Sequence, residues 1–390
     1  MRIAMIGPFG FHPKKTMRSR AFRLARELVQ RGHQVKMLMP PWHTPQEANT
    51  DWQEEGVSVR YVALGGGTVG ITWRLVREAL AFEPHVVHCF KPKAYSGLAA
   101  WWLWQFHRRR LRLLVDSDDW EGWGGWNEHE PYSPLQKRFF AWQERYGMRH
   151  CHTLTVASRT LQSLAWAHGV PHERVLYLPN GPGIDGAVAG PPQGARETRA
   201  DLGLAQRPVL LLYSRLFEFS NERLVAVMAQ VRDALPDLAI LSVGAGLFEE
   251  DAAALGHQLR AAGLQEAIVD IGWLPEARLP ATLASADVGL YLMDDTLLNR
   301  TKCPVKLADM LALGVPVVGE AVGQVPEYVR QEQTGLLRQS GDVDGVSRDV
   351  VRLLQDEALR RRLADAARAL IRQEFAWSRQ ARRLEEVTGR

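Results

Sequence analysis

Three carboxylates fall within four positions, at Asp116, Asp118 and Asp119, directly after an apolar run at 111–115. Like charges that close repel, so each must find a cation or a hydrogen-bond donor, or it is driven toward its protonated form. A carboxyl group tuned that way can take up or hand over a proton near neutrality. Trp120, Glu121, Trp123 and Trp126 follow at once, interleaved with Gly122, Gly124 and Gly125. Tryptophan faces pack against C–H-rich ligands and glycine lets backbone approach one closely, although the same residues serve equally well as plain packing. A second set of candidates is cationic. Arg215 follows the apolar run Val209–Tyr213, and Lys306 stands in Lys302-Cys303-Pro304-Val305-Lys306, just ahead of a helical pattern. Other groupings carry less. His150-Cys151-His152 is a poor ligand set, because neighbours on a strand face opposite ways. Gly244-Ala245-Gly246 lacks the third glycine of a dinucleotide loop, Glu249 standing in its place.

The pattern around these residues alternates strand and helix. Arg2–Ile6 reads as a strand closing on Gly7-Pro8. A helical face of Phe22, Leu24, Ala25, Leu28 and Val29 follows, stopping at Gly32, and a strand returns at 35–39. Strand-like runs recur at 85–88, 111–115 and 154–157. After a Gly/Pro/Ala-rich stretch a second series runs at 209–213, 239–243, 268–271, 288–292 and 315–318, with a helix over 221–235. Alternation of this kind predicts an α/β protein of two doubly wound, Rossmann-like domains, whose strand ends face a ligand cleft. The boundaries expected are 1–185, a linker at 186–206, a second domain at 207–373, and a cationic C-terminal helix at 374–390 that packs back on the first domain.

Length and composition agree with that division. At about 150 residues per domain, 390 residues suggest two, and 46% hydrophobic with 24% charged residues excludes wholesale disorder. Three cysteines exclude a disulfide scaffold and suit a reducing cytosol. The apolar start breaks on glycine and proline, so it reads as a strand rather than a signal peptide, and no run is long enough to span a membrane. The net charge of +4 is unevenly divided: residues 1–185 hold 24 Lys+Arg against 16 Asp+Glu. A basic front half points to an anionic partner.

The stretch 302–337, KCPVKLADMLALGVPVVGEAVGQVPEYVRQEQTGLL, resembles the nucleotide-sugar-binding signature of the retaining glycosyltransferases of family 4, which have the GT-B fold. Arg31-Gly32-His33-Gln34-Val35 resembles that family's RGHxV, Leu178-Pro179-Asn180-Gly181 its PNG, Ser214-Arg215-Leu216 its GRL, and 284–292 its ASADVxL. The ordered series covers nearly the whole chain. The resemblance implies sugar transfer from a nucleotide donor, a UDP- or GDP-sugar, with retention and with no metal or other cofactor. It implies that Arg215 grips the diphosphate. The family's partner Lys is Ser220 here, and Lys306 is favoured to restore the charge, ahead of Lys302 and Arg223. Of the family's two acids, the first is Thr301 here. The second is Asp309, which the resemblance assigns to the ribose hydroxyls. Ser214, Gly244, Cys303, Pro304 and Val305 complete the implied donor site, with Trp273 and Leu274 as an apolar bed for the base. Where many members carry a His-Asp pair, this chain has Asp118-Asp119, which the resemblance implies orient the sugar or take the acceptor's proton. Asp116-Ser117-Asp118 also mimics the metal-binding DxD of the other large glycosyltransferase fold, a match read as accidental.

On the acceptor side, Arg18, Arg20, Lys91, Trp120, Glu121 and Trp123 are the candidates. The family's paired glycines after the first strand are replaced by Lys15-Thr16. Trp101, Trp102, Trp104 and Phe106 precede His107-Arg108-Arg109-Arg110, with Arg112 beyond. That combination suits an anionic membrane surface, but for the tryptophans the favoured reading is a helix that packs them inward while its arginines complement the helix dipole. The acceptor expected is anionic or lipid-linked, the protein cytoplasmic and peripheral on the inner face of the membrane, with no nucleic-acid partner. The missing Lys, Glu and His leave two alternatives: a sugar-nucleotide-binding protein that has lost transfer, and a GT-B-fold sugar-nucleotide epimerase.

Overall fold

The computed structural model describes residues 1–13, 16–187, 192–244 and 249–389. Lys14, Lys15, Ala245, Gly246 and part of the expected linker lie outside the described residues. The chain divides into two compact units. One comprises Met1–Asn180, Thr301–Cys303 and Trp377–Arg390, the other Gly181–Arg300 and Pro304–Ala376.

The first unit is built on eight strands, β1 (Arg2–Ile6), β2 (Gln34–Met39), β3 (Asp51–Glu54), β4 (Val57–Tyr61), β5 (Val86–Phe90), β6 (Arg112–Ser117), β7 (Thr153–Val156) and β8 (Val175–Tyr177). Their order is β3-β4-β2-β1-β5-β6-β7-β8, and every pair is parallel except β3 with β4. Central strands are covered on both faces, which is why Ile3, Ala4, Met5 and Ile6 are all buried and read as an unbroken apolar run. The chain winds outward from β1 in one direction and returns to begin at β5 in the other. The switch point, where ligands of such sheets bind, therefore lies at the carboxyl ends of β1 and β5. The helix Trp377–Thr388 closes this core, placing Trp377, Ala381 and Leu384 among Leu24, Ala25 and Leu28.

The second unit has β9 (Val209–Tyr213), β10 (Ala239–Val243), β11 (Ile268–Gly272), β12 (Val288–Tyr291), β13 (Val317–Glu320) and β14 (Gly335–Arg338). Their order is β11-β10-β9-β12-β13-β14, all parallel. Here the direction reverses between β9 and β12, so the switch point sits where β9 ends, at Ser214-Arg215. No helix of the described residues is long and apolar enough to cross a membrane.

Candidate active site

In the first unit, the carboxyl ends of β5 and β6 bring together the residues singled out after residue 115. Lys91 leaves β5 at φ +48°, and Ala94 lies at φ +49°. Two non-glycine residues in the left-handed region so close together are strained, and such strain gathers where a side chain must be aimed. The Lys91 amide is fixed by the Asp116 carbonyl at 3.0 Å. Its ammonium is buried and meets Asp118 Oδ1 at 3.4 Å, Asp119 Oδ2 at 3.1 Å and Glu121 Oε1 at 3.1 Å. Lys93 takes the other Glu121 oxygen and lies over the Tyr132 ring at 4.6 Å.

One lysine cannot neutralise three carboxylates, and the groups divide accordingly. Burial opposes ionisation of Glu121, but Lys91 and Lys93 outweigh it and hold the carboxyl down at about 2. Burial drives Asp118 up to about 7, Lys91 opposing and Asp119 and Asp116 adding to the rise. Glu144, on the helix Pro134–Arg149, is pushed up to about 8, chiefly by burial and then by Glu121. Ser117 Oγ donates to its Oε1 at 2.8 Å, while its Oε2 accepts no hydrogen bond among the described residues. A neutral Glu144 suits that setting better than a carboxylate, because burying an unpartnered charge costs far more than burying an unpartnered polar group. Of the carboxyls that meet Lys91, Asp118 is raised to where its charge changes near neutrality, beside a lysine held cationic.

Several expected roles change here. Arg20 was expected to face an anionic acceptor. Instead it is buried, paired bidentately with Asp116 at 2.7 Å for both bonds, and donates to Asn180 Oδ1 at 2.8 Å. Burial opposes the ionised form of Asp116, yet Arg20 keeps its pKa below the ordinary aspartate range. Asp116 is therefore a structural anion, which removes it from the DxD grouping. Arg18 pairs with Glu54 at 2.7 Å and lies over the Phe11 and Phe22 rings. It lines a cavity of about 450 Å³ with Phe11, Trp52 and Tyr61. Trp120 is buried, donates to the Trp123 carbonyl at 2.8 Å and stacks on His168. A Cβ at Gly122 would meet the Trp120 ring at 2.4 Å, and one at Gly125 its carbonyl at 2.1 Å. These two glycines thus accommodate Trp120, not a ligand. Trp123 remains half-exposed.

Thr301, Lys302 and Cys303, expected at the donor, belong to the first unit. Ser158 Oγ donates to the Thr301 carbonyl at 2.7 Å, and the Asn180 amide side chain donates to the Cys303 carbonyl at 2.9 Å. Lys302 is buried with its ammonium 5.5 Å from the Trp126 ring centre.

The second unit's site forms at the end of β9. Lys306 lies in the first turn of the helix Val305–Ala312, which Pro304 opens. Its Nζ donates to the Ser214 carbonyl at 2.9 Å and lies 4.1 Å from the Tyr213 ring centre. Gly244, at φ +99°, follows β10 and leaves room for this approach; a Cβ there would stand 3.1 Å from the Ser214 carbonyl and 3.4 Å from Lys306 Nζ. Burial, and then the Arg215 charge, push Lys306 down to about 7. Arg215 itself is exposed. Two cations thus sit where no carboxylate pairs with the Lys306 ammonium within ion-pair distance among the described residues, an arrangement suited to an incoming dianion.

Ser220, in place of the family's Lys, serves the local fold. Its Oγ accepts from the Arg223 amide at 3.2 Å and caps the helix Asn221–Ala234. Arg223 does not restore the missing charge, because Asp294 at 2.6 Å and Glu320 at 3.1 Å occupy it. Asp309 is buried, and its Oδ1 accepts the Gly183 amide at 2.7 Å and the Ile184 amide at 3.1 Å. It anchors that backbone. Trp273 stands exposed after β11, with Leu274 partly buried beside it, two strands away from β9.

Glu144 and Glu320 escaped the sequence reading. A usable signal existed for the first: Gln143 and Glu144 share the buried face of their helix with Ala141, Gly147 and Met148, and a polar residue on a core stripe invites a search for its partner.

Two family models match the chain, one described as a glycosyl transferase 4-like domain over residues 16–181, the other as glycosyl transferases group 1 over residues 207–356. A GDP-mannose-dependent monoacylated alpha-(1-6)-phosphatidylinositol monomannoside mannosyltransferase of Corynebacterium glutamicum is 29% identical over 238 residues, covering 60% of each chain. A GDP-mannose-dependent alpha-(1-6)-phosphatidylinositol monomannoside mannosyltransferase of Mycolicibacterium smegmatis is 31% identical over 241 residues, 60% of this chain and 61% of its own. The chain therefore spans about three-fifths of the length of these two curated relatives. A phosphatidyl-myo-inositol mannosyltransferase of Mycobacterium leprae is 26% identical over 97% of this chain and 94% of its own. Among solved structures, Anabaena Alr3699/HepE in complex with UDP shares the fold, with a TM-score of 0.75 at 17% identity and full coverage of both chains.

Proposed function

Because the chain belongs to the family 4 glycosyltransferases of the GT-B fold, we propose that it transfers a sugar from a nucleotide donor to an acceptor hydroxyl with retention of configuration. The observation that carries this reading is the pairing of Arg215 with Lys306 at the switch point of the second sheet, the ammonium held by the Ser214 carbonyl. Breaking the glycosidic bond builds negative charge on the departing diphosphate, and fixed cations stabilise it. Arg215 and Lys306 supply that charge, so no metal or other cofactor enters the reading. GDP-mannose is the first donor to test, since two of the relatives named above depend on it, with UDP-glucose second.

In the first unit, Asp118 orients the sugar or takes the acceptor's proton, beside Lys91. The acceptor is an anionic or lipid-linked alcohol, and the protein works at a membrane surface on the cytoplasmic side. Relatives that are phosphatidylinositol monomannoside and phosphatidyl-myo-inositol mannosyltransferases support this choice. The transferase relatives do not favour the epimerase or the transfer-deficient alternative. The test is incubation of the purified chain with labelled GDP-mannose or UDP-glucose and an anionic lipid extract. Label in the lipid fraction with the donor's anomeric configuration supports the reading. Isomerised donor sugar without acceptor, or tight donor binding with no product on any lipid, would overturn it.

A further inference from the structure

The helix Pro134–Arg149 turns Ala141, Gln143, Glu144, Gly147 and Met148 inward. Its outward stripe, at helical spacing, is Leu135, Arg138, Phe139, Trp142, Arg145 and Arg149, all exposed, with Tyr146 partly exposed beside them. Large apolar groups stand in water there: Leu135 is 80% exposed, Phe139 38% and Trp142 40%. The rings form a ladder along the helix, with Phe139 stacked on Trp142 at 5.7 Å, Trp142 against Tyr146 at 5.2 Å and Tyr146 on His150 at 3.9 Å. Gln105 donates to the Tyr146 hydroxyl at 2.6 Å, joining the ladder to the end of the helix Ala94–His107. There Phe106, 63% exposed, packs edge-on to Trp101 and Trp102 and is followed by exposed Arg108, Arg109 and Arg110.

We propose that this surface, the outward stripe of Pro134–Arg149 together with Phe106 and Arg108 to Arg110, docks the protein on an anionic lipid bilayer. Within the described residues of Pro134–Arg149, every exposed charge is an arginine, and the helix's one carboxylate, Glu144, points inward. A protein partner of ordinary composition would be met by mixed charges. Rings and leucine on a helix whose own exposed charges are all cations match the interface of a negatively charged membrane, where aromatic rings settle at headgroup depth and guanidinium groups meet phosphates. The stacking holds the rings in place before contact, so little side-chain freedom is lost on docking. This inference deepens the reading of a membrane-borne acceptor and rests on it for its biological sense, but its physical test does not involve transfer.

Sedimentation with vesicles of phosphatidylglycerol and phosphatidylcholine, compared with pure phosphatidylcholine, is that test. Wild type should bind only the anionic vesicles and be released by raised salt. Arg138→Gln/Arg145→Gln should weaken binding about 30-fold, at roughly a factor of five per cation near such a surface. Phe139→Ser/Trp142→Ser should weaken it tenfold or more through lost apolar insertion. Both variants alter exposed positions, so unchanged melting temperatures would show that they fold. Equal binding of wild type and both variants would overturn the proposal. So would a concentration-dependent dimer that the same substitutions dissociate, without vesicle binding. Transfer to a short-chain water-soluble acceptor separates the two readings. Transfer without vesicle binding refutes this surface alone, and vesicle binding without transfer refutes the proposed function alone.

Discussion

Lys306 offers a test of the proposed donor site that needs no knowledge of the acceptor. Burial and Arg215 push its ammonium down to about 7, so at neutrality about half the molecules lack that charge before the donor arrives. A bound diphosphate reverses the balance and holds the proton in place. Apparent affinity should then fall with pH by the factor 1 + 10^(pH − 7), which is about 1.1 at pH 6 and about 11 at pH 8. That is a tenfold loss, or about 1.4 kcal/mol. Binding at pH 8 should draw in close to one proton per site, about 0.9 by the same titration. The probe should be an intact nucleotide sugar, whose diphosphate has no ionisation in this range, because a terminal phosphate titrates near pH 6. Calorimetry in buffers of differing ionisation enthalpy reads both quantities. Lys306→Arg should flatten the profile, since a guanidinium stays charged throughout, and Lys306→Met should be flat and weak at every pH. A wild-type affinity constant within twofold from pH 6 to 8, or an unchanged slope in Lys306→Met, would refute the reasoning. The same lowered pKa has a stability consequence. Between pH 7 and 10.5 the unfolded chain holds the extra proton, so this group makes stability rise with pH over that window.

Other expectations follow from the buried groups. Arg20→Met leaves the Asp116 carboxylate uncompensated and should cost about 3–5 kcal/mol in denaturant unfolding, with Arg20→Met/Asp116→Asn recovering part of it. Gly244→Ala forces a side chain into φ +99° and crowds Lys306; it should cost about 1–3 kcal/mol and weaken nucleotide-sugar binding severalfold in the same calorimetric assay. Glu144, with its pKa raised from 4.5 to about 8, makes the folded form bind the proton more tightly, so stability falls as pH rises across that interval. Glu144→Gln keeps an acceptor for Ser117 and should remove that fall, seen as a flatter melting temperature from pH 5 to 8.

The buried central strands were plain in the sequence because cover on both faces makes them continuous apolar runs, as at 2–6 and 209–213. The sheet edges were not. β3 has one large apolar side chain, Trp52, β4 alternates buried and half-buried residues, and β8 is three residues long. Single-faced or brief strands leave a faint mark. The site shows a similar division. That Lys91, Asp118, Asp119 and Glu121 would lie near one another was readable, because both runs follow strands of one parallel sheet at its carboxyl end. Arg20 misled, because its partner Asp116 comes from a strand far along the chain and nothing local announces the pair. Ser220 looked like a lost lysine, whereas its position just ahead of an apolar helical face is that of a capping residue. Gly122 and Gly125 suggested room for a ligand; Trp120, their own neighbour, takes the room.

The returning helix Trp377–Thr388 has a consequence for biogenesis. Leu24, Ala25 and Leu28 wait for Trp377, Ala381 and Leu384, so the first unit cannot seal its core until the second unit has been synthesised and residues 377–384 follow. Until then an apolar face stays open on a nascent chain that is still elongating, a situation in which chaperones are recruited and aggregation competes. A nascent chain stalled after residue 376 should accordingly be more sensitive to protease in its first 180 residues than one stalled far enough beyond residue 388 to clear the exit tunnel. In order of synthesis the first unit begins before the second; in order of completion it follows it.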